Sequence, residues 1–219
     1  MRSIRVKICG LTREEDLAFA VAAGADAVGF LVGIPSSPRN LTLKRAKRLI
    51  SKVPVFVDSV IVTAPKSIEW LTKICEKLKP SAIQIHGKDQ FDSSIIHKKI
   101  KDARLIKTVY VTEDAFNEGV REDLKMFDAV LLDSFVQGQC GGTGKVHDWT
   151  LSRQLKEAVA PIPVILAGGL KPENIKKAIL AVEPYAVDVA SGVEASPGVK
   201  DHNKVWAFVE NVKQTKLND

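Results

Sequence analysis

Short apolar runs rich in β-branched residues alternate along the chain with longer segments whose apolar positions recur at helical spacing. The runs occupy 4–9, 27–32, 55–62, 82–86, 105–109, 129–133, 164–167 and 186–190, eight in all. Between them, Ile68, Leu71, Ile74, Cys75 and Leu78 form a stripe that ends before Pro80. Ile175, Ala178, Ile179 and Val182 form another, with Pro172 predicted at the first helical turn, and Val205, Phe208, Val209 and Val212 form a closing one. Thr12 followed by Glu15 has the spacing of a capping box that opens an alanine-rich helix stopping at Gly24. Strands that alternate with helices pair in parallel through right-handed crossovers. Eight such units without a linker, low-complexity tract or break in composition predict an α/β fold, a single-domain (β/α)8 TIM barrel over residues 1–219.

Composition narrows the function classes. The chain has 219 residues, 45% hydrophobic and 26% charged, ordinary for a soluble globular domain. Its net charge of +6 comes from 32 basic residues interleaved with 26 acidic ones. There is no basic arm, and aromatics at 6% are too few for a base-stacking platform, so nucleic acid is not the expected partner. A modest positive field suits the capture of a small anionic substrate instead. Cys9, Cys75 and Cys140 are odd in number and widely spaced, which gives neither a disulfide framework nor a metal knuckle. No signal-peptide core and no run of about 18 apolar residues is present, so the expectation is a cytoplasmic protein that does not span a membrane. Its state is expected to be monomer or homodimer.

In barrels of this kind the active site lies at the C-terminal ends of the strands and in the loops that follow. That rule selects Lys7 and Cys9 on strand one, Arg39 after strand two, Gln84 and His86 on strand four, and Asp133 on strand six with Gly141 and Gly142 beyond it. It also selects Gly168 and Gly169 after strand seven, and Asp188, Ser191 and Gly192 on and after strand eight. Glycine-bearing loops at the seventh and eighth positions let backbone N–H groups approach an anion, which points to a phosphate. Strand parity puts Lys7 and Cys9 on one side, and Asp188 faces inward from the neighbouring eighth strand. A Lys7–Asp188 pair in the barrel is therefore expected, with Lys7 depressing the pKa of Cys9. Cys75 reads as a buried apolar residue of its helix stripe, and Cys140 as incidental. His97, His147 and His202 have no recognisable ligand spacing, and no metal or organic cofactor is expected.

These segments resemble a known family. Lys7-Ile8-Cys9-Gly10, Ser37-Pro38-Arg39, Gln84-Ile85-His86-Gly87, Leu132-Asp133-Ser134, Gly141-Gly142-Thr143-Gly144, Ala167-Gly168-Gly169 and Ser191-Gly192-Val193-Glu194 are similar, in order and end to end, to phosphoribosylanthranilate isomerases. The resemblance implies an Amadori rearrangement in tryptophan biosynthesis, without cofactor, with Cys9 as base and Asp133 as acid. It implies that Arg39 receives the anthranilate carboxylate, a task suited to a guanidinium fork. The acid role asks for a raised pKa at Asp133, from partial burial. Residues 31–36 and Asp58 depart from the family pattern, which bears on the shape of the aryl pocket more than on the reaction. The related isomerase of histidine biosynthesis is implied to use two aspartates and two phosphate loops, after strands three and seven. Here strand one ends in Cys9, and one phosphate site is visible. A non-catalytic phosphate-binding barrel stays open, and would tolerate Cys9→Ala and Asp133→Asn. So does a thiol redox protein, although no resolving cysteine lies near Cys9 in sequence.

Overall fold

A computed structural model describes residues 3–87, 92–134 and 147–217. The eight barrel strands are β1 (Arg5–Ile8), β2 (Ala27–Val32), β3 (Asp58–Thr63), β4 (Ala82–Ile85), β5 (Arg104–Tyr110), β6 (Ala129–Asp133), β7 (Val164–Leu166) and β8 (Ala186–Val189). Each pairs in parallel with its sequence neighbours, and β1 pairs with both β2 and β8, which closes the barrel. The helices are α1 (Glu14–Ala22), α2 (Leu43–Ile50), α3 (Ile68–Leu78), α4 (Ser93–Lys99), α5 (Glu118–Leu124), α6 (Trp149–Ala158), α7 (Ile175–Val182) and α8 (His202–Gln214).

The period of two along each strand separates two cores. Outward residues Val6, Ile8, Val28, Phe30, Ile61 and Val187 bury against the stripes of α1, α7 and α8, with Phe208 at 0% exposure. Burying a side chain of that size stabilises by about 1.5–3 kcal/mol, against about 1 kcal/mol or less for an exposed ion pair such as Arg104–Asp128. The outward apolar face, more than the surface charge, holds the helices to the barrel. Inward, Val60, Ile106, Leu131 and Ile165 fill the lower lumen with Ala27, Ala82, Ala129 and Ala186 from alternate strands. One pleat nearer the C-terminal ends the lumen turns polar, beginning with Lys7, Gln84, Thr108 and Asp188.

Three local expectations are corrected. β3 begins at Asp58 rather than at 55: Val57 N–H donates to Pro54 O in a turn, Phe56 has φ +74, and Val55 and Phe56 are exposed. Thr12 caps nothing: its hydroxyl donates to Gly198 O at 2.6 Å, and Arg13 occupies the N-cap of α1 without a side-chain bond. Pro172 lies in the turn before α7 rather than inside it.

The β8–α8 connection matters for the site. A single 3-10 turn (Ser191–Val193) leads into a small antiparallel hairpin of Glu194–Ser196 and Val199–Lys200. The Thr12–Gly198 bond and a 3.1 Å bond from Lys200 N–H to the buried Asp16 carboxylate hold this hairpin against the first βα unit.

Candidate active site

At the C-terminal mouth, Cys9, Arg39, Gln84, His86, Asp133 and Asp188 line one pocket. Lys7 and Asp188 face each other in register, and Lys7 Nζ donates to Asp188 Oδ1 at 2.9 Å, with both side chains buried. The same ammonium donates to Gln84 Oε1 at 3.0 Å. An ammonium can only donate, so Gln84 must turn its oxygen to Lys7 and its amide nitrogen to His86 Nε2 (2.8 Å) and Thr108 Oγ1 (3.2 Å). His86 therefore accepts through Nε2 and carries its proton on Nδ1, an atom buried without a partner. Burial, reinforced by Lys7 and Lys107, pushes the His86 pKa down to about 3, so the ring is neutral.

Asp133 has the raised pKa that an acid needs. Burial lifts it from 3.8 to about 6, against the opposing bond from Ser134 N–H at 2.8 Å; Asp188 adds to the rise and Lys7 opposes it. Cys9 corrects the expectation. Its pKa is raised rather than depressed, because burial of the thiol outweighs the attraction of Lys7, and Asp188 works against that cation. Room for both groups comes from Gly29 in the middle of β2. A Cβ there would sit 2.8 Å from Cys9 Sγ, 3.1 Å from Cys9 Cα and 3.2 Å from Lys7 Cε.

Arg39 does not point free into the pocket. Its Nε and Nη2 donate to the two oxygens of Glu194 at 2.8 and 2.6 Å. Lys200 Nζ donates to the same carboxylate at 3.0 Å and to Ala190 O at 2.9 Å. Gly10, at φ +76, leaves space for the Arg39 stem, since a Cβ would lie 2.6 Å from Cδ.

An adjoining pocket is lined by Asp133, Gly168, Gly169, Asp188, Ser191 and Gly192. Gly168 and Gly169 both have positive φ, the region glycine enters without penalty. Gly192 is required for a different reason: a Cβ there would overlap the carbonyl oxygen of Leu170, so the loops after β7 and β8 touch through it. Among the described residues, the N–H groups of Gly168, Gly169, Ser191 and Gly192 have no acceptor. A wider groove beside α4, lined by Ser94, His97, Lys101 and Arg104, lies at the opposite end of the barrel and holds none of these groups.

The sequence profile described as N-(5'phosphoribosyl)anthranilate (PRA) isomerase matches residues 6–211. This chain belongs to the PRA isomerase family. The N-(5'-phosphoribosyl)anthranilate isomerase of Methanosarcina acetivorans is 45% identical, over 96% of this chain and 94% of that one. Among solved structures, the phosphoribosyl anthranilate isomerase of Thermotoga maritima superposes with a TM-score of 0.84 at 37% identity, covering 96% of this chain and 98% of that chain. Another phosphoribosyl anthranilate isomerase, in complex with reduced 1-(o-carboxyphenylamino)-1-deoxyribulose 5-phosphate, superposes at 0.81 with 36% identity over the same shares.

Of the positions that the family's motifs select, the structure brings Cys9, Arg39, Gln84, His86, Asp133 and Asp188 around one pocket, with Lys7 beneath, and the four later positions around the next. Gly141, Gly142 and Cys140 lie outside the described residues. Sequence reasoning assigned no role to Gly29, Thr108, Glu194, Lys200 or His147. His147 takes the ring-nitrogen partners Ser134 Oγ at 3.1 Å and Ser152 Oγ at 2.6 Å, which ties it to the residue after Asp133. No described helix is long and apolar enough to cross a membrane, and no metal-binding cluster of His, Cys, Asp and Glu occurs among the described residues.

Proposed function

We propose that Cys9 and Asp133 are the base and acid with which this chain performs the reaction of its family, the Amadori rearrangement of N-(5'-phosphoribosyl)anthranilate in tryptophan biosynthesis. In this reading Asp133 protonates the furanose ring oxygen and opens the ring to an imine. Cys9 then removes the proton from C2, and the enolamine collapses to the ketone of 1-(2-carboxyphenylamino)-1-deoxyribulose 5-phosphate. Both steps are proton transfers, so two titratable groups around one bound sugar suffice, without metal or organic cofactor.

One observation carries the reading: Asp133 borders both pockets, one holding Cys9 and Arg39 and the other lined by four residues whose N–H groups have no acceptor among the described residues. A substrate with a carboxylate at one end and a phosphate at the other spans them. Its phosphate takes the N–H groups of Gly168, Gly169, Ser191 and Gly192. Its carboxylate meets Arg39. Gln84 and His86 line the wall beside the sugar, and the Lys7–Asp188 pair supports them from below.

The two pKa directions set the working protonation state. Near neutrality Cys9 is a thiol and Asp133 a carboxylate, yet the reaction needs thiolate and carboxylic acid. Moving one proton from Cys9 to Asp133 creates that form without any change in net charge. The productive species is a minority form, populated at a ratio that does not depend on pH between the two pKa values. The test follows the loss of anthranilate-type fluorescence when the wild-type protein meets freshly made substrate. Turnover supports the reading, and its absence contradicts it.

A further inference from the structure

We infer that Lys200 is a specificity-determining positioning residue, the second cation that lets Arg39 hold a substrate carboxylate while Glu194 already occupies it. The inference rests on the proposal that Arg39 receives the aryl carboxylate.

Glu194 fills the Nε and Nη2 edge of the guanidinium with both of its oxygens. Nη1 has no partner among the described residues, so an incoming carboxylate must bind a guanidinium that already carries one. Two carboxylates on a single arginine would leave a net negative charge on largely buried side chains, an expensive arrangement. Lys200 removes that difficulty. Its ammonium, with the side chain 1% exposed, lies 3.0 Å from Glu194, whose side chain is 5% exposed. Arg39, Glu194 and Lys200 together carry one excess positive charge. The neighbouring Lys7–Asp188 pair is balanced and the Cys9 thiol is neutral, while the Asp133 carboxylate across the pocket feels the charges of Asp188 and Lys7 rather than those of Arg39 or Lys200, so the excess stays with the cluster. The cluster is one anion short, and a single substrate carboxylate completes it.

The hairpin explains how a lysine is kept there. Lys200 N–H is fixed by Asp16 and its Nζ by Ala190 O, so the ammonium is directed at Glu194 by both ends of the residue. Burial pulls its pKa down, and the Glu194 carboxylate opposes that fall. A lysine needed only for packing would be more cheaply replaced by an apolar residue of similar volume.

The test measures affinity for two ligands by calorimetry: the reduced product analogue 1-(o-carboxyphenylamino)-1-deoxyribulose 5-phosphate and its counterpart without the carboxylate. Wild type is expected to prefer the first by roughly 10- to 100-fold, the range of a hydrogen bond to a charged group. Lys200→Met and Lys200→Gln, the latter keeping a polar partner for Glu194 and Ala190, should lose about tenfold or more of that preference. Binding of the uncharged-aryl ligand should stay within about threefold, and Lys200→Arg should retain the preference. An unchanged preference in both charge-removing variants, or equal loss of both ligands, overturns the role of Lys200 and leaves Arg39 standing. No preference in wild type overturns the carboxylate reading of Arg39 itself.

Discussion

Replacing the proposed acid should make this protein more stable. Asp133 titrates at about 6 in the folded chain, against 3.8 for an ordinary aspartate, because it is only 8% exposed where it borders the two pockets. The folded state therefore holds a proton that the unfolded state has already released between those two values. Stability falls as pH rises through that window, reaches its full loss above about 6, and is unaffected by this group below 3.8. The difference of 2.2 pH units (6 − 3.8), at about 1.36 kcal/mol each, comes to roughly 3 kcal/mol. Asn is close in shape, uncharged at every pH, and its side-chain oxygen can still accept from Ser134 N–H. Urea unfolding of wild type and Asp133→Asn, followed by circular dichroism at pH 4 and pH 8, reads the effect. The variant should gain up to about 3 kcal/mol relative to wild type between the lower and the higher pH. A difference that does not change with pH, or one that favours wild type more at pH 8, would refute the assignment of a destabilising buried carboxylate.

Three further outcomes follow from the same geometry. kcat/KM should rise with pH to a plateau above about 6, the Asp133 limb, and fall only above the ordinary thiol value of 9.0; a Cys9 thiol half-ionised below pH 8, read from thiolate absorbance of wild type minus Cys9→Ser, contradicts this. Asp188→Asn strands Lys7 in the lumen without its carboxylate, so stability should drop by about 3 kcal/mol or more and turnover should fall; unchanged turnover removes the supporting role. Gly29→Ala puts a methyl against the backbone and sulfur of Cys9, so kcat should fall by up to about 10²-fold while chemical denaturation shows the fold retained; wild-type kcat would show that the thiol need not sit where Gly29 lets it.

Sequence patterns carried the barrel, because helix stripes and strand alternation depend only on local period. Every residue of the α7 and α8 stripes is buried. Parity and strand adjacency also carried the Lys7–Asp188 pair, since closure of the barrel places β8 beside β1. What escaped depends on competition between terms that spacing does not weigh. Lys7 does attract a thiolate at Cys9, but burial of the sulfur outweighs it, and the pocket around it is lined by residues from five other strands. Thr12 has a cap's spacing, yet its hydroxyl found a carbonyl 186 residues away. The run at 55 has a strand's composition, but the turn after Pro54 turns Val55 and Phe56 outward. Gly29 did leave a signal: an isolated glycine inside a strand marks close approach of another group. Glu194 stood in a family motif, but its pairing with Lys200 left no signal, because their meeting depends on the hairpin that folds back between them.

The central claim, that Cys9 and Asp133 carry the proton transfers rather than shape the pocket, is tested most directly by separating binding from turnover. Cys9→Ser and Asp133→Asn should bind the reduced product analogue within about threefold of wild type while kcat falls by 10²-fold or more, roughly the share of a general acid or base. Wild-type turnover by either variant, or loss of binding in step with loss of turnover, would contradict the account.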